Sequence, residues 1–241
     1  MNSTFDHKVE GRTSGSRTIR AFISARMSSS RFPGKMLAPF RGEPLIVHVI
    51  RAVEKAVEAE SLLVATSTHA SDDPLATYLA SIGIAVFRGP LEDVFERFRA
   101  CARAFPCTWI LRVTGDSPLT NPKILRRVIG SARLDNCDLV TTTFPRTFPV
   151  GQNAELIRME ALMNIDDREL TPEDKEHVTR FFYRHPERFR VVSVESGDPH
   201  LAEMSLAIDT VDDLLRLGVL SHKELEDLAN LATSHWEGGG V

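Results

Sequence analysis

The chain has 241 residues, of which 42% are apolar and 26% charged, and a formal net charge of −4. This length can bury a large core without disulfides. The weakly acidic balance argues against a nucleic-acid partner, because such surfaces carry a basic excess. No apolar run approaches the roughly 18 to 20 residues that a membrane-spanning helix needs, so we also expect no membrane partner.

The three cysteines are an odd number without C-x-x-C spacing. This pattern is typical of reduced thiols in a cytoplasmic protein rather than of a disulfide framework or a zinc site. Residues 1–17 are rich in Ser, Thr, Gly and Arg and have no apolar core. We therefore predict that this N-terminal extension is disordered.

Apolar spacing alternates between strand and helix along most of the chain. These repeated units predict an α/β fold with a doubly wound, mainly parallel sheet, in which ligands bind beyond the carboxyl ends of the strands. The predicted strands are Ile19–Ala25, Leu62–Thr66, Ile84–Phe87, Trp109–Thr114, Leu139–Thr142, Arg190–Val194 and Met204–Ile208. The predicted helices are Pro44–Glu58, Asp72–Ile82, Leu91–Phe105, Pro122–Arg133, Pro172–His185, Val211–Leu217 and Ser221–Ala232.

The alternation breaks over residues 143–190, which contain several prolines and a polar loop. We interpret this region as a small inserted subdomain, for dimerisation and acceptor binding, within a main domain of residues 18–220. Residues 221–241 form a C-terminal helix and tail. The predicted helix in the insertion shows an apolar face with Phe181 and Phe182, which predicts a homodimer formed through this region.

A basic loop follows the first predicted strand. Between Arg26 and Gly42 there are four cationic side chains and no acidic one. Such a loop can aim backbone N–H groups and cations at one anion, and the dipole of a following helix adds to this, so the loop favours a polyphosphate ligand. It is not a P-loop, because Ser29 and Met36 stand where that motif needs Gly and Ser or Thr. The alternative is a solvated basic surface loop.

Two aspartates follow predicted strands that lie far apart in sequence. Asp116 comes after the strand Trp109–Thr114, and Asp209 comes after Met204–Ile208. Two carboxylates opposite a cationic loop are typical of a magnesium–nucleotide site, since Mg²⁺ is usually held by one or two carboxylates and the substrate phosphates. Alternatively, Asp116 belongs only to a Gly-Asp-Ser-Pro turn, and Asp209 only caps the next helix.

Seven segments, in this order, resemble the spore coat polysaccharide biosynthesis protein F family. That family belongs with the acylneuraminate and 3-deoxy-manno-octulosonate cytidylyltransferases, which activate acidic sugars and have a Rossmann-like nucleotidyltransferase fold. The segments are ARMSSSRFPGK at 25–35, VATS at 64–67, FRG with EDV at 87–94, RVTGDSPL at 112–119, RTFP at 146–149, EHVT at 176–179 and IDTVDD at 208–213.

The resemblance implies a binding site for CTP and Mg²⁺. The implied residues fall into three overlapping groups: catalytic Arg26, Lys35, Asp116 and Asp209; nucleotide-binding Arg26, Ser30, Arg31, Lys35, Ser67 and Arg112; and metal-binding Asp116 and Asp209. The family often has Gly at position 28 and Thr at position 30, where this chain has Ser twice. A serine at position 28 costs freedom if the loop requires a positive φ there.

The resemblance also implies acceptor-binding residues, namely Glu155, Glu176 and His177. For His177 the alternative is a polar helix residue without a role. Where the family commonly reads Asp-Gly-Leu-Asp-Val-Glu, this chain has Val-Gly-Gln-Asn-Ala-Glu at 150–155. Loss of the two acidic side chains lowers repulsion of an anion, and the amides of Gln152 and Asn153 can bind hydroxyl groups. We therefore predict an anionic acceptor, above all a nonulosonic or other keto-acid sugar, with a phosphonate or phosphorylated small molecule as the alternative.

The predicted reaction is transfer of CMP from CTP to that acceptor with release of pyrophosphate, in the biosynthesis of a surface polysaccharide or glycan. One alternative is a nucleotide-sugar glycosyltransferase, although such enzymes normally have an Asp-x-Asp pair and Asp209-Thr210-Val211-Asp212 lacks that spacing. Another alternative is a nucleotide-binding homologue without catalysis.

Overall fold

A computed structural model describes residues 18–132 and 137–238. The predicted N-terminal extension, and Arg133 at the predicted end of a helix, lie outside the described residues. The described residues form nine strands: β1 Ile19–Ser24, β2 Pro39–Phe40, β3 Glu43–Pro44, β4 Leu62–Ser67, β5 Val86–Gly89, β6 Trp109–Thr114, β7 Leu139–Thr141, β8 Glu155–Arg158 and β9 Val191–Ser193.

Helices cover both faces of the main sheet. The α-helices are α1 Leu45–Glu54, α2 Asp73–Ser81, α3 Val94–Ala104, α4 Pro122–Ser131, α5 Met159–Met163, α6 Pro172–Glu176, α7 Arg180–Arg184, α8 Val211–Gly218 and α9 His222–Asn230. Short 3-10 turns occur at Lys35–Leu37, Ala59–Ser61, Ala70–Asp72, Asp167–Glu169, Pro199–Glu203 and Leu231–Gly238. Among the described helices, none combines the length and apolarity needed to cross a membrane.

The main sheet has seven strands in the order β5-β4-β1-β6-β8-β7-β9. All neighbours are parallel except β8, which runs antiparallel to both β6 and β7. Alternate residues of β1 face opposite sides, so that Ala21 and Ile23 pack in one apolar core and Phe22 in another. Helices α1, α2 and α4 cover the first core, while α3, α5 and α7 cover the second. The predicted doubly wound, mainly parallel α/β fold is confirmed.

Strand β8 connects the predicted inserted region to the main sheet. It lies within residues 143–190, and it pairs with the central strand β6 and with β7. The region is therefore threaded into the middle of the sheet rather than set apart from it. The sequence did not reveal β8 because Leu156 and Ile157 are buried on opposite faces, which removes the apolar–polar alternation of a half-buried strand.

The helix predicted from Pro172 to His185 is interrupted at His177, whose φ of −115° and ψ of 89° end α6. The side chains of Phe181 and Phe182 on α7 are fully buried within this chain, in the core around Phe22. The predicted pairing of two copies through this face is therefore wrong, because the aromatic rings are already covered. A homodimer through another surface stays a prediction.

The strand predicted over Met204–Ile208 does not form. Only Ser205 makes a bridge, to Val150, although Leu206 and Ile208 are buried as a strand residue would be. The other predicted elements are present, with ends shifted by a few residues; α1 stops at Glu54 and β5 starts at Val86. The strand prediction failed because an apolar run in the sequence indicates burial, but not whether its backbone forms hydrogen bonds with a neighbouring strand.

Candidate active site

A cleft of about 450 Å³ opens at the carboxyl ends of β1 and β6. Polar and charged side chains line most of it, as expected for a site that binds a charged ligand rather than an apolar one. Of the residues that the sequence singles out, the structure brings nine to this cleft: Arg26, Ser30, Arg31, Lys35, Arg112, Asp116, Glu176, His177 and Asp209.

Lys35 lies between the two aspartates. Its Nζ atom is 2.9 Å from Oδ2 of Asp116 and 2.8 Å from Oδ1 of Asp209, and its side chain is only 7% exposed. Arg31 adds a second cation, 3.1 Å from the other oxygen of Asp209. We call these four residues the lysine–aspartate cluster. Two carboxylates from distant parts of the chain thus converge on one cation.

Close backbone packing brings Asp116 to the basic loop. A Cβ atom at Gly115 would lie 2.9 Å from Ile46 Cδ1 and 3.0 Å from both Ala25 Cβ and Met36 Sδ. Only glycine lets this turn approach the loop without displacing those side chains. The Gly-Asp-Ser-Pro turn therefore does more than reverse the chain, since it places the Asp116 carboxylate beside Lys35.

A second close approach positions Asp209. Gly151 has φ of +96°, and a Cβ there would meet the backbone nitrogen of Ala207 at 2.6 Å. The next segment is tied to the turn after β6, because the Ile208 N–H donates to the Asp116 carbonyl at 2.9 Å. Thr210, not Asp209, caps α8. The alternative roles of Asp116 in a turn and of Asp209 as a helix cap therefore do not explain why the two side chains converge.

The basic loop has its own internal framework. The Met27 carbonyl accepts from the N–H groups of Ser29 and Gly34, and Gly34 has φ of +78°. The only non-glycine residue with positive φ in the described ranges is Arg41, so Ser28 carries no such strain. A 3-10 turn follows directly at Lys35, and the helix predicted from Pro44, α1, starts at Leu45. The loop therefore relies on side-chain charge more than on a helix dipole.

Asp72, which sequence reasoning treated only as the start of a helix, anchors this loop. Its side chain is fully buried and accepts from Met27 N–H at 2.7 Å and from Thr66 Oγ1 at 3.0 Å. Although burial alone would raise its pKa, hydrogen bonds from Ser67, Met27 and Thr66 lower the pKa below its usual value. The signal in the sequence was weak, because an aspartate before a helix is ordinarily a cap.

Ser67 was predicted to line the nucleotide pocket, and the structure places it elsewhere. Its N–H and hydroxyl both donate to Asp72, and the side chain is fully buried outside the cleft. Ser67 therefore acts on the basic loop through Asp72. A nucleotide contact by Ser67 would require breaking this network.

Glu155 was predicted to face the acceptor, but it lies beneath the cleft. It is 2% exposed, pairs with Arg112, and accepts hydrogen bonds from Thr179 and Tyr183, each at 2.6 Å. Burial raises its pKa, but Arg112, Thr179 and Tyr183 lower it more, so the carboxylate stays charged. The same burial and the Glu155 charge raise the pKa of Tyr183. Glu155 thus fixes Arg112, which does line the cleft.

The other predicted acceptor residues divide into two pairs. Glu176 and His177 line the cleft, with Glu176 3.3 Å from Arg26. Gln152 is 2% exposed and donates to the Ala229 carbonyl at 2.7 Å. Asn153 accepts from Arg146 at 2.7 Å. Neither amide lines the cleft, and a contact of these two residues with the acceptor stays a prediction.

The sequence model of a family described as cytidylyltransferase matches residues 21–231. This chain belongs to the cytidylyltransferase family. It is 31% identical to the spore coat polysaccharide biosynthesis protein SpsF of Bacillus subtilis (strain 168), over 85% of this chain and 87% of the relative. The predicted family and class of enzyme are confirmed.

Solved structures share the fold of this cytidylyltransferase. A cytidylyltransferase from Leptospira borgpetersenii serovar Hardjo-bovis (strain JB197) superposes with a TM-score of 0.81 at 25% identity, covering 92% of this chain and 96% of the other. A CMP:2-keto-3-deoxy-manno-octonic acid synthetase complexed with CTP gives a TM-score of 0.64 at 17% identity, covering 86% and 99%. At that identity the second likeness shows the fold alone.

The two aspartates of the cytidylyltransferase fit a divalent metal that also binds substrate. Their oxygens already converge on one cation, the ammonium of Lys35. Within residues 18–132 and 137–238 no group of three or more His, Cys, Asp or Glu side chains could hold a metal alone. A metal here would complete its coordination with oxygens from water or from a ligand, as Mg²⁺ does when it binds nucleotide phosphates.

Proposed function

We propose that this cleft binds CTP with Mg²⁺ and transfers CMP to an anionic acceptor. The observation that carries the proposal is the lysine–aspartate cluster, in which Lys35 contacts both Asp116 and Asp209. Family membership supports cytidine as the nucleoside. The name of SpsF supports a product destined for a polysaccharide, and sequence similarity to 3-deoxy-manno-octulosonate cytidylyltransferases supports an acidic sugar as the acceptor.

The triphosphate of CTP would lie along the basic loop. Ser30, Arg31 and Lys35 line the cleft there and can donate to the β- and γ-phosphate oxygens. Arg26 and Arg112 extend the positive surface along the rest of the nucleotide. Asp116 and Asp209 would hold Mg²⁺, which supplies neutralisation of phosphate charge when bound.

In the reaction, an acceptor hydroxyl gives up its proton to solvent and its oxygen forms a bond to the α-phosphorus of CTP. The bond from that phosphorus to the bridging oxygen breaks, and pyrophosphate leaves with the electron pair. Alignment and charge neutralisation provide most of the acceleration in such transfers, so no nucleophilic side chain is needed. Lys35 and Arg31 would stabilise the leaving pyrophosphate, while Glu176 and His177, which line the same cleft, would contact acceptor hydroxyls.

We place the enzyme in the cytoplasm, where CTP is available. The three cysteines are buried and form no disulfide, which fits a reducing compartment. Burial raises the pKa of the Cys107 thiol to about 11, so it is protonated and unreactive at neutral pH.

The test is a pyrophosphate-release assay with each of the four ribonucleoside triphosphates and a panel of sugars. The panel pairs acidic sugars such as N-acetylneuraminate and 3-deoxy-manno-octulosonate with neutral sugars of similar size. We expect release only with CTP and an acidic acceptor, together with a product heavier by one CMP residue. Release with neutral sugars alone, or with another nucleotide in preference to CTP, would contradict the proposal.

A further inference from the structure

Arg97, on the first turn of α3, is a buried cation that sequence reasoning missed. It is 1% exposed and lines the cleft. Its Nη1 donates to the Pro90 carbonyl at 2.8 Å, but its Nε is buried without a hydrogen-bond partner. No carboxylate in residues 18–132 or 137–238 forms an ion pair with it. A buried donor without a partner costs free energy until something accepts its hydrogen bond.

The charges around Arg97 also leave it without an ionic partner in the described residues. Two other arginines line the same cleft, and each has its own carboxylate: Arg26 pairs with Glu176, and Arg112 pairs with Glu155. Arg97 has none. Burial, and then the charges of Arg26 and Arg112, lower the pKa of Arg97 to about 10, although the charges of Asp72 and Asp93 oppose this. The three arginines of the cleft therefore have only two carboxylate partners among the described residues.

The position of Arg97 is built into the fold. A Cβ atom at Gly89, the last residue of β5, would lie 2.9 Å from Cγ of Arg97. Glycine at this place lets the arginine stem pack directly against the strand end. None of Arg26, Arg97 and Arg112 forms an ion pair with Asp116 or Asp209 within the described ranges, so these three are separate from the lysine–aspartate cluster. We call them the arginine cluster.

We propose that the arginine cluster is an oxyanion subsite in which Arg97 binds a phosphate or carboxylate oxygen of a substrate. The proposal rests on the proposed function, which supplies two sources for that anion: the α-phosphate of CTP and the acidic group of the acceptor. Guanidinium groups bind both oxyanions through paired N–H donors. The triphosphate tail is already matched by Arg31 and Lys35, which leaves this cluster for a second anionic group.

The experiment follows the Nε–H resonance of Arg97 by two-dimensional ¹H–¹⁵N spectroscopy, assigned with Arg97→Lys. Four probes are titrated in two matched pairs: CMP against cytidine, and N-acetylneuraminate against the neutral N-acetylmannosamine. We expect the resonance to shift with CMP or with N-acetylneuraminate and not with either neutral partner. The anion that causes the shift identifies its source. No shift with either anion, or equal shifts with the neutral probes, would overturn the proposal.

Variants then measure the contribution to binding. Arg97→Gln should raise the Kd of the active anion about tenfold or more, as the loss of a charge-assisted contact implies, and Arg97→Lys should restore part of it. Arg103→Gln, at an exposed position of the same helix, should change the Kd less than about twofold. An unchanged Kd in Arg97→Gln would also refute the subsite. Calorimetry of the unmodified protein with CTP and Mg²⁺ tests the proposed function separately. If Arg97→Gln does not fold, the Arg97 Nε–H resonance of the unmodified protein still shows whether Arg97 binds an anion.

Discussion

Replacing Lys35 by methionine should create a metal-dependent stability that the unmodified enzyme lacks. Methionine keeps the length of the side chain but removes the charge that lies 2.9 Å and 2.8 Å from the two carboxylates. Asp116 and Asp209 then face each other with only Arg31 nearby. A divalent cation can take the place of the missing ammonium.

The stability lost in Lys35→Met depends on how deeply the two ion pairs of Lys35 are buried. Removing one partner of a fully buried ion pair costs about 3–5 kcal/mol, but the two carboxylates are 28% and 30% exposed and water screens them. We therefore expect the free energy of unfolding to fall by about 2 kcal/mol. For a chain of this size that lowers Tm by about 4–8 °C. Metal at about ten times its Kd should return roughly 1.4 kcal/mol of this.

The assay is thermal unfolding with and without Mn²⁺, in the absence of CTP. The unmodified enzyme should show little response to metal, because Lys35 already neutralises both carboxylates, while Lys35→Met should melt lower and recover with Mn²⁺. Lys55→Met, at an exposed lysine, is the control and should match the unmodified enzyme. Equal stabilisation of both proteins by Mn²⁺, or an unchanged Tm in Lys35→Met, would refute the reasoning.

Three further predictions concern residues that support the site and the core. Asp72→Asn should raise the KM for CTP and cost about 1–3 kcal/mol of stability, because Met27 loses its charged acceptor. The folded pKa of Asp72 is lowered, so its contribution to stability is complete above the unfolded pKa near 3.8 and is lost as pH falls through the folded pKa. Acid titration followed by circular dichroism measures this loss. Gly115→Ala should cost about 1–3 kcal/mol in urea unfolding, because its Cβ has no room, whereas Gly130→Ala, where nothing lies within 4 Å, should not destabilise. Phe181→Ala should cost about 3–5 kcal/mol, because its ring is fully buried within one chain.

Each of these has a contrary result. An acid transition of Asp72→Asn identical to that of the unmodified enzyme would show that the charge on Asp72 does not stabilise the fold. Equal stability of Gly115→Ala and Gly130→Ala would mean that the turn after β6 has room to spare. A stability of Phe181→Ala that depends on protein concentration would show that this ring lies in an interface after all.

The sequence predicted the parts of the site that depend on strand ends. Asp116 and the basic loop each follow an apolar run, and the carboxyl ends of parallel strands lie at one edge of a sheet. Asp209 lies beside Asp116 for a different reason. The described residues directly before Asp209 form no strand, and a close contact between Gly151 and the backbone of Ala207 sets its position. Such contacts between distant backbones leave no periodic signal.

Burial of polar groups was the other feature that the sequence did not reveal. Arg97 lies at helical spacing from the apolar residues Val94 and Cys101, but its charge argued for exposure; the structure buries it and packs its stem against Gly89. Gln152 and Asn153 were assigned to the acceptor because of their amide chemistry, but their hydrogen-bond partners are Ala229 and Arg146. Residue type indicates what a side chain can bind, whereas only the fold determines what it meets.

The most direct test of the central claim is the rate of CTP-dependent pyrophosphate release in Asp116→Asn and Asp209→Asn, with Asp212→Asn as the control. Asp212 lies on the exposed part of α8, three residues beyond Asp209. If Asp116 and Asp209 together hold the metal against the CTP phosphates, each of the first two variants should fold and lose on the order of 10²-fold or more in kcat, while the control keeps its rate. Full activity in either Asp116→Asn or Asp209→Asn would contradict the account.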